Sequence, residues 1–272
     1  MVVMIFGDIF GKLGRRAVAA ALPDLKARFC PDIILANGEN LAGGRGMNRK
    51  TFAEMMEMGI HGLTGGNHTW DNKDIYNFID QDSRIIRPAN FPSPAGYPCP
   101  GRGYGIIRNG DKSIFVINLL GRVFMEAVEC PFAAVDKILK ENPADVPILV
   151  DMHADATSEK YAMGWFLAGR VAAVTGTHSH VQTADERILP GGTAYITDIG
   201  MSGSFDSVIG LGKEEIIKKF ITKRATPYQS ARENPGVSCV VIRIGPDRRA
   251  ETIERLRFSV TIDSLTHEKD ME

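Results

Sequence analysis

Thr175-Gly176-Thr177-His178-Ser179-His180 follows the short apolar run Val171-Ala172-Ala173-Val174. The run reads as a buried strand, and the segment after it as a turn at the strand's carboxyl end. Gly176 lets the backbone turn sharply there. Residues two apart in extended chain face the same way, so His178 and His180 are expected to aim two imidazoles at one point. Alone, such a pair serves as metal ligands or as exposed, hydrogen-bonded turn residues. The other strand ends decide between the two.

Upstream, Val2 to Phe6 reads as a buried strand ending in Gly7-Asp8-Ile9-Phe10-Gly11. Leu13 to Phe29 follows as a helix with Val18, Leu22, Leu25 and Phe29 on one face, bent at Pro23. Asp32 to Ala36 is a second strand, running into Asn37-Gly38-Glu39-Asn40. Strand, helix and strand make a parallel βαβ unit with a right-handed crossover. Ile60 to Thr64 leads into Gly65-Gly66-Asn67-His68-Thr69-Trp70-Asp71, and Val146 to Val150 into Asp151-Met152-His153. Further helices are expected at Arg49–Met58, Asp74–Ile79, Phe132–Lys140, Glu159–Leu167 and Lys213–Lys223. Further strands are expected at Ser113–Leu119, Ala194–Ile196, Val237–Ile244 and Glu251–Phe258.

Phe91 to Gly105 is rich in Pro and Gly and reads as a surface wrap or flap. No linker, repeat or charge block divides the chain. One domain over 1–272 is expected, with a modest cap or flap insertion within 91–135, and the last dozen polar residues frayed. The glycine-rich Leu41-Ala42-Gly43-Gly44-Arg45-Gly46 segment lacks the strand-to-helix context and Lys-Ser/Thr ending of a P-loop. Gly7 to Gly14 has the wrong spacing for a dinucleotide fingerprint. Both are read as loops, the first as a candidate active-site lid.

The 272 residues are 44% hydrophobic and 24% charged, ordinary globular values that supply a sizeable core. A net charge of -1 argues against a polyanion-binding surface and leaves room for a local basic pocket for one phosphate. Cys30, Cys99, Cys130 and Cys239 are widely spaced, which fits reduced thiols better than a disulfide framework or a zinc ribbon. Val2–Phe6 is too short for a signal peptide or a membrane span, so the cytoplasm is the expected address.

Just after successive strands stand Asp8, Glu39 with Asn40, Asn67 with His68, His153, and then His178 and His180. In open parallel sheets, ligands bind at the carboxyl ends of strands. A lone Asp there is commonly a turn residue and a lone His a satisfied core residue; the joint pattern points to a site. Nitrogen and oxygen donors without thiolate suit iron, manganese or zinc. Three histidines, two carboxylates and one or two amides exceed one tetrahedral centre and fit two metals about 3.5–4 Å apart.

Gly7-Asp8, Gly66-Asn67-His68, His153 and Gly176-Thr177-His178-Ser179-His180 follow the motif order of the calcineurin-like metallophosphoesterases, which the chain resembles. More narrowly it resembles the YmdB-like branch, bacterial phosphodiesterases acting on 2′,3′-cyclic nucleotides. The motifs are Gly7-Asp8-Ile9-Phe10-Gly11, Asn37-Gly38-Glu39-Asn40, Gly66-Asn67-His68-Thr69-Trp70-Asp71, Arg87-Pro88-Ala89-Asn90-Phe91-Pro92, His153-Ala154-Asp155-Ala156-Thr157-Ser158-Glu159-Lys160 and Thr177-His178-Ser179-His180-Val181-Gln182-Thr183-Ala184-Asp185. The resemblance runs from residue 1 to about 260. Phe10 replaces the histidine of the superfamily's Asp-x-His, and Glu39 stands for its bridging Asp; both are features of the branch.

The resemblance implies a four-layer α/β/β/α sandwich of two mixed sheets flanked by helices. It implies two divalent or mixed-valent metal ions, iron first and manganese next. Asp8, Glu39, Asn40 and His180 would hold one ion, and Glu39, Asn67, His153 and His178 the other, with Glu39 bridging. A hydroxide between the ions would attack phosphorus of a 2′,3′-cyclic nucleotide, His68 would protonate the departing 2′-oxygen, and a 3′-nucleotide would result. Arg87 and Arg122 are further candidates to touch phosphate, Trp70 and Phe91 to stack a base, and Asp71 and Asp198 to support ligating histidines. The expected partner is a small phosphodiester in a homo-oligomer, with a tetramer the expected assembly, and no membrane or nucleic-acid polymer. Two alternatives stay open: a phosphomonoesterase on the same metals, acting on phosphoproteins or nucleotides, and a regulatory RNA- or protein-binding module with structural metals.

Overall fold

Side-chain alternation along the strand Val2–Ile9 (β1) sets up the layers. Met4 and Phe6 share a core with Ala17, Val18, Leu22 and Leu25 of the helix Gly11–Phe29 (α1). Val3 and Ile5 face the opposite way, into a core with Ile114, Val116, Leu149 and Ala173 of the second sheet. Each such aliphatic side chain, fully buried, contributes roughly 1.5–3 kcal/mol. The computed structural model describes residues 1–142 and 145–262. The expected frayed tail lies mostly at 263–272, outside the described residues.

The first sheet continues with Ile33–Asn37 (β2), Gly62–Thr64 (β3) and Ile85–Ile86 (β4). The second contains Tyr104–Asn109 (β5), Lys112–Leu120 (β6), Ile148–His153 (β7), Ala173–Thr177 (β8), Arg187–Leu189 (β9) and Thr193–Ile196 (β10). Met201–Ser204 (β11), Pro235–Ile244 (β12) and Ala250–Ser259 (β13) return to the first. The orders are β13-β12-β11-β1-β2-β3-β4 and β5-β6-β7-β8-β10-β9, with β12 also pairing with β1. Both sheets are mixed: β1 is parallel to β2 and antiparallel to β12, and β6, β7, β8 and β10 are parallel while β5 and β9 run antiparallel.

Helices Arg49–Glu57 (α2) and α1 cover the first sheet, and Pro131–Glu141 (α3) and Thr157–Leu167 (α4) cover the second. Lys213–Thr222 (α5) lies apart, with Ile216 packed beside Phe10, Met201 and Leu211. This is the two-sheet, helix-flanked α/β architecture expected from the sequence. A capping box between Asn48 and Thr51 starts α2. Pro23 sits inside α1, which is helical on both sides of it.

Several elements differ from expectation. The helix expected at Asp74–Ile79 is a single 3-10 segment, Lys73–Asn77. Strand β8 begins two residues late and runs through Gly176 to Thr177. Gly176 is thus not the turn: a Cβ there would collide with the Thr197 carbonyl, so glycine permits close approach of the chain leaving β10. Strands β5, β9 and β11 carry too little apolar patterning to be seen in the sequence. Among the described residues no helix is long and apolar enough to cross a membrane.

Candidate metal centre

Parallel strands β1, β2 and β3 of one sheet and β7 and β8 of the other end at a common seam. A register shift at Gly7 in the β1–β2 ladder sets Asp8 opposite Asn37 and, on the other side, opposite Met201. The Asp8 amide donates to Gly200 O at 3.0 Å, an approach that a Cβ at Gly7 would block. Glu39 and Asn40 follow β2, and the Glu39 N–H is held by Asn37 Oδ1 at 3.0 Å. Asn67 and His68 lie in the turn after β3. His153 is the last residue of β7, paired with Thr177 of β8.

Two groups of ligand-type atoms converge, each within 4.8 Å: Glu39, His153 and His178, and Asp8, Glu39 and His180. Glu39 belongs to both. His153 Nε2 stands 3.2 Å from Glu39 Oε1, 3.1 Å from Asn67 Oδ1 and 3.0 Å from His178 Nδ1. His180 Nε2 is 3.9 Å from Asp8 Oδ1.

The outer nitrogens fix the tautomers. Thr177 Oγ1 donates to Asp151 Oδ1 at 2.7 Å, so it accepts from His153 Nδ1–H at 2.9 Å. His180 Nδ1 donates to Ile209 O at 2.9 Å. Both histidines therefore turn an Nε2 lone pair inward, the arrangement by which metal-ligating imidazoles are held. Phe10, buried in place of the superfamily histidine, packs edge-on against the His180 ring with centroids 5.6 Å apart.

The loop carrying His178 and His180 is not extended. Both residues take left-handed backbone angles, φ 97° and 63°, which cost energy in a side-chain-bearing residue. The reading from strand alternation is thus corrected: a strained turn aims the two rings, one into each group. The His178 N–H donates to Asp8 Oδ2 at 3.1 Å and the Ser179 N–H to Asp198 Oδ2 at 3.0 Å. Asp198 is clamped by the buried Lys160 ammonium at 2.7 Å, which also donates to Thr177 O at 3.0 Å.

Three observations test whether cations fit. Asp8 Oδ1 and Asn40 Oδ1 are buried oxygens with no hydrogen-bond partner among the described residues, an arrangement costing about 1–3 kcal/mol per group unless a cation takes the lone pairs. Asn40 Nδ2 is spent on Gly44 O at 2.9 Å, which leaves its oxygen as the free atom. A Cβ on Gly66 would stand 2.5 Å from His153 Nε2 and closer still to the Glu39 carboxylate, so the space between them is kept open. Finally, three acceptor-type atoms meet around His153 Nε2, a convergence that a proton or a cation relieves. The residues fit two hard-to-borderline cations with mixed oxygen and nitrogen donors.

Without metal the cluster holds protons instead. Burial pushes Asp8 up to about 6, with His180 and His153 pulling the other way. Burial also opposes the ionised form of Glu39, but His153 and its hydrogen bond outweigh it and hold the carboxyl at about 2. Burial disfavours charge on His153 too, and Glu39, Asp8 and Asp151 overcome it and raise the imidazolium to about 9. Burial and the neighbouring His153 charge drive His178 down to about 3.

A model of YmdB-like proteins matches residues 4–256. The chain belongs to the YmdB-like family. A Bacillus subtilis relative named 2′,3′-cyclic-nucleotide 2′-phosphodiesterase is 43% identical over 258 residues, 94% of this chain and 96% of that protein. A crystal structure described as a novel phosphatase from Mycoplasma pneumoniae superposes with a TM-score of 0.90 at 30% identity, covering 96% of this chain and 94% of that one. A crystal structure of a hypothetical protein from Thermus thermophilus gives 0.88 at 37% identity, covering 96% and 100%. The metallophosphoesterase-type fold that the resemblance implied is the fold of this YmdB-like chain.

His68 lies at the rim of the YmdB-like centre. Its N–H donates to Glu39 Oε2 at 3.0 Å, and its Nδ1 pairs with Asp71 Oδ2 at 2.9 Å, leaving Nε2 without a hydrogen-bond partner among the described residues. Asp71 thus pairs with His68 and not with a ligating histidine, and Asp198 acts on Lys160 and on the amides of Ser179 and Gly200. Arg87 is spent on the carbonyls of Pro88, Cys99, Pro100 and Gly101, a structural role. Trp70 stacks on Tyr76 and leans on Phe91, and the Arg122 N–H is bound by Glu159. Sequence reading missed Lys160, Asp151 and Asn37. Asp151 accepts from Thr64, Thr177 and Asn37 and so ties β7 to β2, β3 and β8 directly beneath the ligands.

Proposed function

We propose that the chain is a metal-dependent phosphodiesterase that opens 2′,3′-cyclic nucleotides to 3′-nucleotides. The observation that carries this reading is the pair of ligand groups meeting in one carboxylate, Glu39. Asp8, Glu39, Asn40 and His180 would hold one ion, and Glu39, Asn67, His153 and His178 the other, with iron first and manganese next as the metals. When bound, two such ions make hydroxide available near neutral pH and offset charge developing on phosphoryl oxygens.

The chain's own residues supply the rest. Asp71 fixes the His68 ring by Nδ1, so that Nε2 can give its proton to the leaving 2′-oxygen, which otherwise departs poorly as an alkoxide. Thr177 and Ile209 hold the ligand tautomers, and the Lys160–Asp198 pair holds the turn. The substrate class rests on the name of the Bacillus relative and the order of the motifs.

The description of the Mycoplasma structure as a phosphatase favours a second reading, phosphomonoester hydrolysis on the same metals. Rates on 2′,3′-cyclic AMP, on bis(p-nitrophenyl) phosphate and on a phosphopeptide separate the two. The proposal expects the diesters to dominate; monoester hydrolysis faster by tenfold or more would overturn it.

A further inference from the structure

The glycine-rich loop 41–46 is built into the rim of the centre. At its start, Asn40 Nδ2 donates to Gly44 O at 2.9 Å, and the Gly44 N–H donates back to Asn40 O at 3.2 Å. Near its end the Ala42 N–H donates to Gly46 O at 2.9 Å. Gly46 packs on the turn that carries His68: a Cβ there would stand 2.8 Å from Asn72 N and 3.3 Å from His68 O. Gly43, Gly44 and Gly46 all take left-handed angles, which glycine adopts without strain. The loop is thus fastened at one end to a candidate ligand and at the other to the candidate proton donor, and it presents one long side chain, Arg45.

Arg45 is held but not satisfied. Its guanidinium lies over the Tyr228 ring at 4.6 Å, and Nη1 is 4.0 Å from Asp71 Oδ2, too far for a hydrogen bond. None of its guanidinium N–H groups donates a hydrogen bond to another described residue, and the side chain is 54% exposed. Asp71 Oδ2 is the same oxygen that pairs with His68 Nδ1. The guanidinium therefore stands one carboxylate beyond His68, the group that on the phosphodiesterase reading meets the ribose 2′-oxygen. A planar fork of uncommitted donors with a ring against one face is suited to phosphate oxygens.

Resting on the phosphodiesterase reading, we propose that Arg45, steadied by Tyr228, binds the 5′-phosphoryl group of the nucleotide whose 2′,3′-cyclic phosphate is being opened. The chemical class of preferred substrate is then a cyclic-phosphate-terminated oligoribonucleotide or a 5′-phosphorylated cyclic nucleotide, rather than the cyclic mononucleotide alone. One cation reading one phosphate is compatible with a chain of net charge -1, which offers no track for a long polymer. Arg45 is a specificity residue here.

The experiment compares kcat/KM of the metal-loaded protein on 2′,3′-cyclic AMP and on the dinucleotide ApA ending in a 2′,3′-cyclic phosphate, in wild type, R45Q, R45K and Y228L. Wild type is expected to prefer the dinucleotide about tenfold, mainly through KM. The ratio should fall to near one in R45Q, be partly kept in R45K and weaken in Y228L. Reading the ratio removes any general effect of the substitutions on cleavage. A wild-type ratio near one, or a preference that survives R45Q, overturns the assignment of Arg45 and leaves the phosphodiesterase reading intact. A preference lost in Y228L but kept in R45Q would make the ring a base platform and also overturn it. Wild-type protein that cleaves neither compound overturns the phosphodiesterase reading itself.

Discussion

His153 Nε2 and Glu39 Oε1 lie 3.2 Å apart with both side chains buried, and in the metal-free protein that contact is an imidazolium against a carboxylate. Glu39 is held down at about 2 and His153 up at about 9. A metal ion needs the imidazole neutral, so the proton on His153 must leave as the ion enters.

Metal loading should therefore release protons. Below about pH 9 His153 carries a proton that an entering ion must displace. Below about pH 6 Asp8 is protonated as well, and the number released should rise further. Affinity thus climbs with pH and levels off above about pH 9. Titration calorimetry in buffers of different ionisation enthalpy counts the protons. Metal uptake that is independent of pH across this range would contradict the assignment of His153 as a ligand.

Removing the buried ammonium should cost stability and loosen the turn that carries two ligands. In Lys160→Met the Asp198 carboxylate keeps the Ser179 and Gly200 amides but loses its countercharge. Breaking a buried pair from one side costs about 3–5 kcal/mol. Urea unfolding should show a loss of that size, with metal content reduced at the same time. A variant as stable and as fully metallated as wild type would show that Lys160 positions nothing.

His68→Ala tests the proton donor through the leaving group. Loss of a general acid slows reactions with poor leaving groups by about 10²–10⁴-fold. Cleavage of 2′,3′-cyclic AMP should fall in that range, while bis(p-nitrophenyl) phosphate, whose nitrophenolate leaves without a proton, should be far less affected. Asp71→Asn should move both rates in the same directions by smaller factors, because it disturbs only the Nδ1 contact. Equal losses on both substrates would assign His68 to metal binding or folding instead.

Much of this centre was legible because its chemistry sits on strand ends. Asp8, Glu39, Asn67, His153 and the 178–180 pair each follow a recognisable apolar run, and parallel strands carry their carboxyl ends to one edge. Strand β8 was misjudged at its end because Gly176 looks like a turn residue, whereas its role is to let Thr197 O approach. Strand β11, Met-Ser-Gly-Ser, has almost no apolar pattern and is set by its pairing with Asp8 and Ile9. Lys160 and Asp151 were invisible for a related reason. They act through buried contacts with Asp198, Thr64 and Thr177, which are distant in sequence, and nothing in their local spacing announces it.

The central claim is that Glu39 lies between two metal ions. Anomalous scattering at the iron and manganese edges, on crystals of protein purified without added metal or chelator, tests it most directly. Two peaks are predicted, one beside Asp8, Asn40 and His180 and the other beside Asn67, His153 and His178, with the Glu39 carboxylate between them. A single peak, or none, would contradict the account.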